Sequence, residues 1–496
     1  MMNFEVGMRR VGVALLLGVF VFSGCAIVGT DYERPETDIL GNWQTEGSVE
    51  VSNAVVDGVA DDSIDPLDLE EWWTTFQDET LNLFVDQALT NSHTLQVAVA
   101  RVAESRARYG VSRGEYYPAL AAIGGAAITR QSESLVPNIS ADQNREDVVY
   151  QVGFTLSWEL DLWGRIRRLV ESSKATMDAS IDDRRDVQVL LVADVASAYM
   201  DIRSLQARVR VALDNIESQK ETLGLTQDRF AAGLVPKLDV YQAELNLART
   251  SSSLPRLRSL LIRNINRLAL LVGTSPGEIR PRLDVNIPTP KPLDSIATGI
   301  PVDVILDRAD VQRSERLLAS QLATMGVASA ARFPTLSLSG TFAMEALESG
   351  NLFESGNEAY SFGPSVRWRI FEGGRIYKSV MVEESRVEQL YHIYQQTVLA
   401  AIEDIETSMV LLTEERDRLV FLQKAVTAAH ESVTAVKDLY QNGLITFQNV
   451  LDMERSLAQQ QDDLKASEGL VSKYAIRLYK ALGGEGRKVK NRKAEN

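Results

Sequence analysis

Trp158-Glu-Leu-Asp-Leu-Trp-Gly-Arg-Ile166 and Trp368-Arg-Ile-Phe-Glu-Gly-Gly-Arg-Ile376 are two versions of one segment, 210 residues apart. The same offset relates Phe230-Ala-Ala-Gly-Leu234 to Tyr440-Gln-Asn-Gly-Leu444, and Arg267-Leu268 to Arg477-Leu478. Upstream, Gly110 and Tyr117-Pro118 match Gly326 and Phe333-Pro334 at 216, so the first copy is six residues longer between its strands. Loop tips tolerate such insertions. A chain that contains itself twice is read as two copies of one supersecondary unit.

Within each copy the hydrophobic period changes in the same order: helix, two strands, a very long helix, a turn, a helix. In the first copy Tyr150, Val152, Phe154, Leu156 and Trp158 alternate with Gln151, Gly153, Thr155, Ser157 and Glu159, giving one apolar and one polar strand face. The second copy repeats this with Phe362, Pro364, Val366, Trp368 and Ile370. Repeat 1 (71–290) is assigned strands at about 118–130 and 148–160, a helix at 165–231, a turn at 232–238 and a helix at 239–272. Repeat 2 (291–483) is assigned strands at about 334–345 and 360–371, a helix at 375–441, a turn at 442–448 and a helix at 449–482. At 1.5 Å per residue each long helix reaches roughly 100 Å. Such a helix needs lateral packing along its whole course, as in a coiled coil or helical barrel.

Composition narrows the function. The formal charge of -16 argues against a nucleic-acid surface, which needs clustered cations to displace counterions. One cysteine and three histidines (His93, His392, His430) exclude a disulfide framework and argue against a His/Cys metal site. No nucleophile, base and orienter stand together as a local motif, and there is no phosphate-binding loop, so the sequence reads as a non-enzyme without a cofactor.

At the amino terminus Arg9 and Arg10 precede an apolar run, 11–22, that ends in Ser23-Gly24-Cys25. The run is shorter than the ~20 residues a membrane-spanning helix needs, so 1–24 reads as a signal peptide. Small residues before a cysteine suit lipoprotein processing, with Cys25 as the lipid attachment site; the alternative is a buried cysteine behind an ordinary signal. Residues 25–70 then form a lipidated strap whose 46–66 stretch is acidic and aperiodic, and 484–496 is a basic tail read as solvated and disordered.

Strands of about 10 residues suit a tilted crossing of a bilayer. Four of them cannot close a barrel, for which about eight is the practical minimum, and an open edge in lipid leaves backbone groups unpaired. Several chains must therefore join, apolar faces toward lipid and polar faces toward a wet lumen. Tyr116, Tyr117, Trp158, Trp163, Phe333 and Phe371 fall at strand ends, as membrane-interface anchors or as simple packing residues.

These residues resemble the outer membrane factor family, the TolC-like exit ducts, and in particular its lipoprotein branch of outer-membrane efflux proteins. The resemblance spans 25–483. It rests on Gly29-Thr-Asp-Tyr-Glu-Arg-Pro35, Trp72-Trp73 with Phe76 and Asp78, Gln87-Ala-Leu-Thr-Asn91, the Trp158 and Trp368 segments, and Arg229-Phe-Ala-Ala-Gly-Leu-Val235. The family's Arg-Arg-Pro-Asp-Ile appears here as Asp307-Arg-Ala-Asp-Val311. The resemblance implies a mainly α fold with membrane β: a homotrimer whose four strands per chain complete a twelve-stranded outer-membrane barrel, with long helices forming a periplasmic α-barrel. It also implies a periplasmic adaptor and an inner-membrane pump as partners, and a passive duct for small molecules. The alternatives are an exit duct for polypeptides and a non-conducting, lipid-anchored coiled-coil scaffold.

The turns Ala232-Gly-Leu-Val-Pro-Lys-Leu-Asp239 and Asn442-Gly-Leu-Ile-Thr-Phe-Gln-Asn449 would meet at a periplasmic mouth, which in this family is constricted at rest. The resemblance places Asp239, Tyr440, Asn449 and Asp452 there. Carboxylates brought together in a narrow lumen raise one another's pKa and attract cations. Asp239 is equally a first-turn carboxylate favoured by the helix dipole, and Asp452 a solvated helix charge. Gly233 and Gly443 suit left-handed helix C-caps. Leu234, Val235, Leu444 and Ile445 beside them suggest an adaptor docking surface, or pack against each other.

Overall fold

The computed structural model describes residues 27–35, 69–130, 146–284, 287–292 and 303–484. The apolar run at 11–22, Cys25, the acidic 46–66 stretch and the basic tail from 485 lie outside the described residues. The chain divides into two compact units. One takes Met1–Glu36, Val102–Ser180 and Ser314–Tyr394; the other takes Thr37–Arg101, Ile181–Arg313 and Gln395–Asn496. Each unit draws on both copies of the repeat, so the copies are not two successive bodies.

In chain order the helices of eight or more residues are α1 (Glu79–Asn91), α2 (His93–Gly114), α3 (Arg165–Ala231), α4 (Lys237–Val272) and α5 (Pro276–Leu283), followed after the short α6 (Asp303–Asp307) by α7 (Ala309–Ala330), α8 (Arg375–Gln441) and α9 (Phe447–Ala481). The strands are β1 (Ala119–Arg130), β2 (Glu146–Leu160), β3 (Thr335–Ala346) and β4 (Glu358–Arg367). Helices α3 and α8 each run 67 residues without a break.

The first unit holds the sheet, ordered β1-β2-β3-β4 with every pair antiparallel. Phe154 stands opposite Ala122 on one side and Phe342 on the other, and Phe342 stands opposite Tyr360. Because side chains alternate between faces, this row shares its face with Leu120, Val152, Phe362 and Val366. All of these large apolar side chains are exposed. The opposite face carries Gln151, Thr155, Ser157, Ser339, Thr341 and Ser361. Gly153 lies on it where a Cβ would collide with the Phe342 carbonyl.

The last strand is shorter than the alternation suggested. It ends at Arg367, opposite Thr335, instead of continuing to about 371. The residue that would pair with Trp368 is Pro334, which has no N–H to donate, and β4 has no second neighbour among the described residues. Strand β2 passes the equivalent Pro118 because β3 pairs with it as far as Leu160.

Beyond β2, Asp161 caps α3 by accepting from the Ile166 and Arg167 amides at 3.1 and 2.9 Å, and Gly164 turns the chain at φ +80°. Arg165 clamps Glu159 with two bonds of 2.7 and 2.9 Å. One turn on, the buried Arg168 donates to the Val28 and Gly29 carbonyls and to Asp31, while Tyr32 and Arg34 both reach Glu315. The chain just downstream of Cys25 is thereby tied to α3 and α7.

The second unit is built on Trp72, Phe76, Phe84, Tyr199, Leu268 and Tyr479, all buried. Asp78 caps α1 through the Thr80 and Leu81 amides and accepts a 2.6 Å bond from Tyr199, on which Arg203 converges. Trp72 stacks on Tyr479 at 5.2 Å. Helix α7 starts at Ala309 without the family's proline. Arg308 pairs with Asp310 at 2.8 Å and donates to the Ala481 carbonyl that ends α9, and Asp310 accepts from the Val311 amide.

Candidate functional site

The two hairpin turns of the second unit share one backbone motif. In the first, Gly233 donates to the Phe230 carbonyl and Leu234 to that of Arg229; in the second, Gly443 donates to Tyr440 and Leu444 to Leu439. The glycines stand at φ +74° and +73°, the left-handed cap that closes a helix by satisfying its last carbonyls. The helices that follow start at Lys237 and Phe447, two residues earlier than the sequence pattern suggested, because Pro236 and Thr446 already adopt extended cap geometry.

The four apolar turn residues split into two pairs. Leu234 and Leu444 are 66% and 69% exposed. Val235 and Ile445 instead pack on the cluster of Ala243, Tyr440, Phe447, Val450 and Leu451, so they take the internal packing alternative.

Tyr440 is not on an open surface either. It is 3% exposed, its ring lies 5.3 Å from Phe447, and the Arg229 guanidinium sits 4.9 Å over it. Apolar neighbours at its ring and one cation on its face make Tyr440 part of the packed cluster beneath the turn. Burial raises its pKa, and the charge of Asp239 adds to this, while the Thr226 hydroxyl and Arg229 act the other way. Its hydroxyl makes no well-formed hydrogen bond. The half-buried Asp239 is also shifted upward, by burial. Asn449 and Asp452 are exposed; Asn449 donates to Thr446 and Asp452 accepts from Gln448 at 2.9 Å, leaving the carboxylate open to solvent.

One charged residue behind this surface escaped the sequence reading. Glu454 is 5% exposed and takes hydrogen bonds from Thr222 at 2.6 Å and Asn246 at 3.2 Å, with the Lys437 ammonium 3.0 Å away. It joins α3, α4, α8 and α9 at one point. The signal was present: Phe447, Val450, Leu451, Glu454 and Leu457 fall on one helical stripe, and a carboxylate inside such a stripe needs a counter-ion.

In the first unit Trp158 donates its indole N–H to the Tyr116 carbonyl at 3.0 Å, and Trp368 donates to Arg332 at 3.1 Å, the same bond in both copies. Trp163 donates to Pro334 and stacks on Phe333 at 4.8 Å. Tyr117 and Phe371 are exposed, Phe371 four residues past the end of β4. Among the described residues no cluster of His, Cys, Asp and Glu is arranged to hold a metal, and no helix is long and apolar enough to cross a membrane.

The outer membrane efflux protein family matches residues 84–274 and 300–484, and the chain belongs to that family. It is similar to nodulation protein T of Rhizobium leguminosarum bv. trifolii, with 29% identity over 461 residues, 92% of this chain and 94% of that one. A probable efflux pump outer membrane protein of Pseudomonas putida, TtgC, is 26% identical over 478 residues, 95% of each chain. The solved structure of the outer-membrane channel OprN superposes with a TM-score of 0.83 at 31% identity, covering 92% of this chain and 99% of that one. The chain is an outer-membrane efflux component with the fold of these channels.

Proposed function

We propose that three copies of the chain form the passive exit duct of a tripartite pump, releasing drugs and other toxic small molecules across a Gram-negative outer membrane. A periplasmic adaptor and an inner-membrane pump supply the energy, lipid on Cys25 anchors each copy, and the duct itself catalyses no reaction. The observation that carries this reading is the sheet. Each of its two outer strands has one edge unpaired among the described residues, one face exposes Phe154, Phe342, Tyr360 and Phe362, and the other is small and polar. Such a sheet is stable in lipid only when its edges are closed by neighbours. The exposed Leu234 and Leu444 suit the adaptor, and Asp452 suits a cation-attracting mouth.

Single-channel recording in a planar bilayer tests this, comparing wild type with Asp452→Ala. The wild type is expected to give small, cation-selective openings, and the variant larger or less selective ones. Membrane-inserted trimer that never conducts would overturn the duct. Unchanged selectivity in the variant would remove Asp452 from the mouth and leave the duct standing.

A further inference from the structure

Above the Glu454 node, three helices of the second unit line a solvent-open cavity of about 360 Å³, with Arg249 and Arg256 at its exposed rim. Its walls carry four arginines: Arg208 from α3, Arg249 and Arg256 from α4, and Arg455 from α9. A single carboxylate, Asp462, lines it, and that group is consumed by Arg208 through two bonds of 2.8 Å. Arg455 donates only to the neutral oxygen of Asn246, at 3.2 Å. Arg249 and Arg256 have no carboxylate partner among the described residues. In a chain with 68 acidic and 52 basic residues, three guanidiniums facing one cavity without a counter-charge is the reverse of the average environment.

The rest of the lining adds to this. Asn215, Thr250, Ser253 and Gln459 supply neutral hydrogen-bonding groups, and Val211 and Leu257 supply apolar surface. Thr250 and Ser253 lie just before Pro255, inside α4, where the ring removes one backbone donor and prevents regular closure of that turn. A guanidinium presents a planar fork of donors that matches a carboxylate or phosphate with two parallel bonds. A volume of this size is that of a small-molecule pocket.

We propose that this cavity is a binding site for a small organic anion, one carboxylate or phosphate group held by Arg249, Arg256 and Arg455, with a short apolar portion against Leu257. Mutual repulsion of the guanidiniums is relieved when the anion enters, so binding stabilises the folded helices.

The test uses the full chain, purified in detergent, with benzoate and inorganic phosphate as probes and sodium chloride at matched ionic strength as the control. Calorimetric titration and thermal unfolding are read together. Wild type is expected to bind at least one probe and to unfold at a higher temperature than in chloride. Binding of benzoate but not phosphate identifies an amphiphilic carboxylate as the ligand type; the converse identifies a phosphate. Arg249→Gln with Arg256→Gln is expected to weaken binding by roughly tenfold or more, the loss of charge-assisted hydrogen bonds. Ser253→Glu keeps every arginine and supplies an internal carboxylate, so it should abolish binding and raise the unfolding temperature without any probe. Failure of both probes to act on wild type beyond chloride overturns the proposal. So does unchanged affinity in the double arginine variant. Loss of the trimer in that variant, with no probe binding to wild type, assigns the arginines instead to contacts between copies.

Discussion

Removing the ammonium from Lys437 should loosen the hairpin tips more than removing both halves of its ion pair. Glu454 is buried, and Lys437, at 3.0 Å, is its one cationic partner among the described residues. Truncating one partner of a buried pair costs ~3–5 kcal/mol, because the remaining charge is left in a poorly polarisable site. Here the lower end applies, about 3 kcal/mol, since Thr222 and Asn246 still donate to the carboxylate and the Lys437 side chain is already 24% exposed. The double variant Lys437→Met with Glu454→Leu replaces the pair by apolar groups of similar volume, a change that is often neutral or favourable. Thr222 and Asn246 then each lose an acceptor, worth about 1 kcal/mol apiece. The expected order is wild type, then the double variant about 2 kcal/mol below it, then Lys437→Met about 1 kcal/mol lower still. Amide hydrogen exchange across 447–457 reads this directly, because local opening is reported in the same free-energy scale. A loss of 3 kcal/mol corresponds to roughly a hundredfold faster exchange. The reasoning fails if Lys437→Met exchanges at the wild-type rate, or if the double variant is as loose as the single one.

Three further outcomes are expected. Burial alone would raise the Asp310 carboxyl, but the hydrogen bonds and charge of Arg308 outweigh it and hold the pKa below its ordinary value. The stabilisation is therefore present above the ordinary carboxylate range and lost as pH falls through the lowered value; acid titration followed by exchange at the start of α7 should show this in wild type and not in Asp310→Asn. Gly233→Ala and Gly443→Ala should each cost ~1–2 kcal/mol, the penalty of a Cβ in a left-handed conformation, and the two should be alike because no atom crowds either position closely; thermal unfolding of the pair checks this, and a large difference would mean that packing rather than backbone sets the cost. Leu234→Asp with Leu444→Asp should change stability by no more than about 0.5 kcal/mol yet abolish drug resistance in cells expressing the pump; retained resistance would exclude both leucines from docking.

The parts that were legible in the sequence are those fixed by a local rule. The long helices α3 and α8 could be bounded because turn glycines stop them and Pro and Gly are almost absent inside. The strand faces followed from alternation. Trp72, Trp73, Phe76 and Asp78 could be noticed as a pattern, but their reason lies in partners far along the chain: Asp78 meets Tyr199, and Trp72 meets Tyr479. The end of β4 was misjudged because an apolar alternation reports which face a residue would take and not whether a neighbour can donate to it; Pro334 decided that. The packing of Tyr440 was not legible for a related reason. Its neighbours in sequence are the exposed residues of a turn, whereas its packing comes from Arg229 and Phe447.

The repeat itself shows where the two copies parted. Both turns have the same hydrogen bonds and the same left-handed glycines, so the backbone of the tip is symmetric. The side chains beneath it are not. Glu454 has Glu244 as its counterpart 210 residues earlier, and Glu244 is exposed, whereas Glu454 is buried and bound by three helices. Asn246, which donates to Glu454, has Ser456 as its own counterpart, too short to return the bond. The two hairpins share a backbone, and the node that fastens them to each other is built on a carboxylate from the second copy alone. Any motion of the tips that separates α9 from α3 must break the Glu454 node, while the first copy presents no equivalent bond through Glu244.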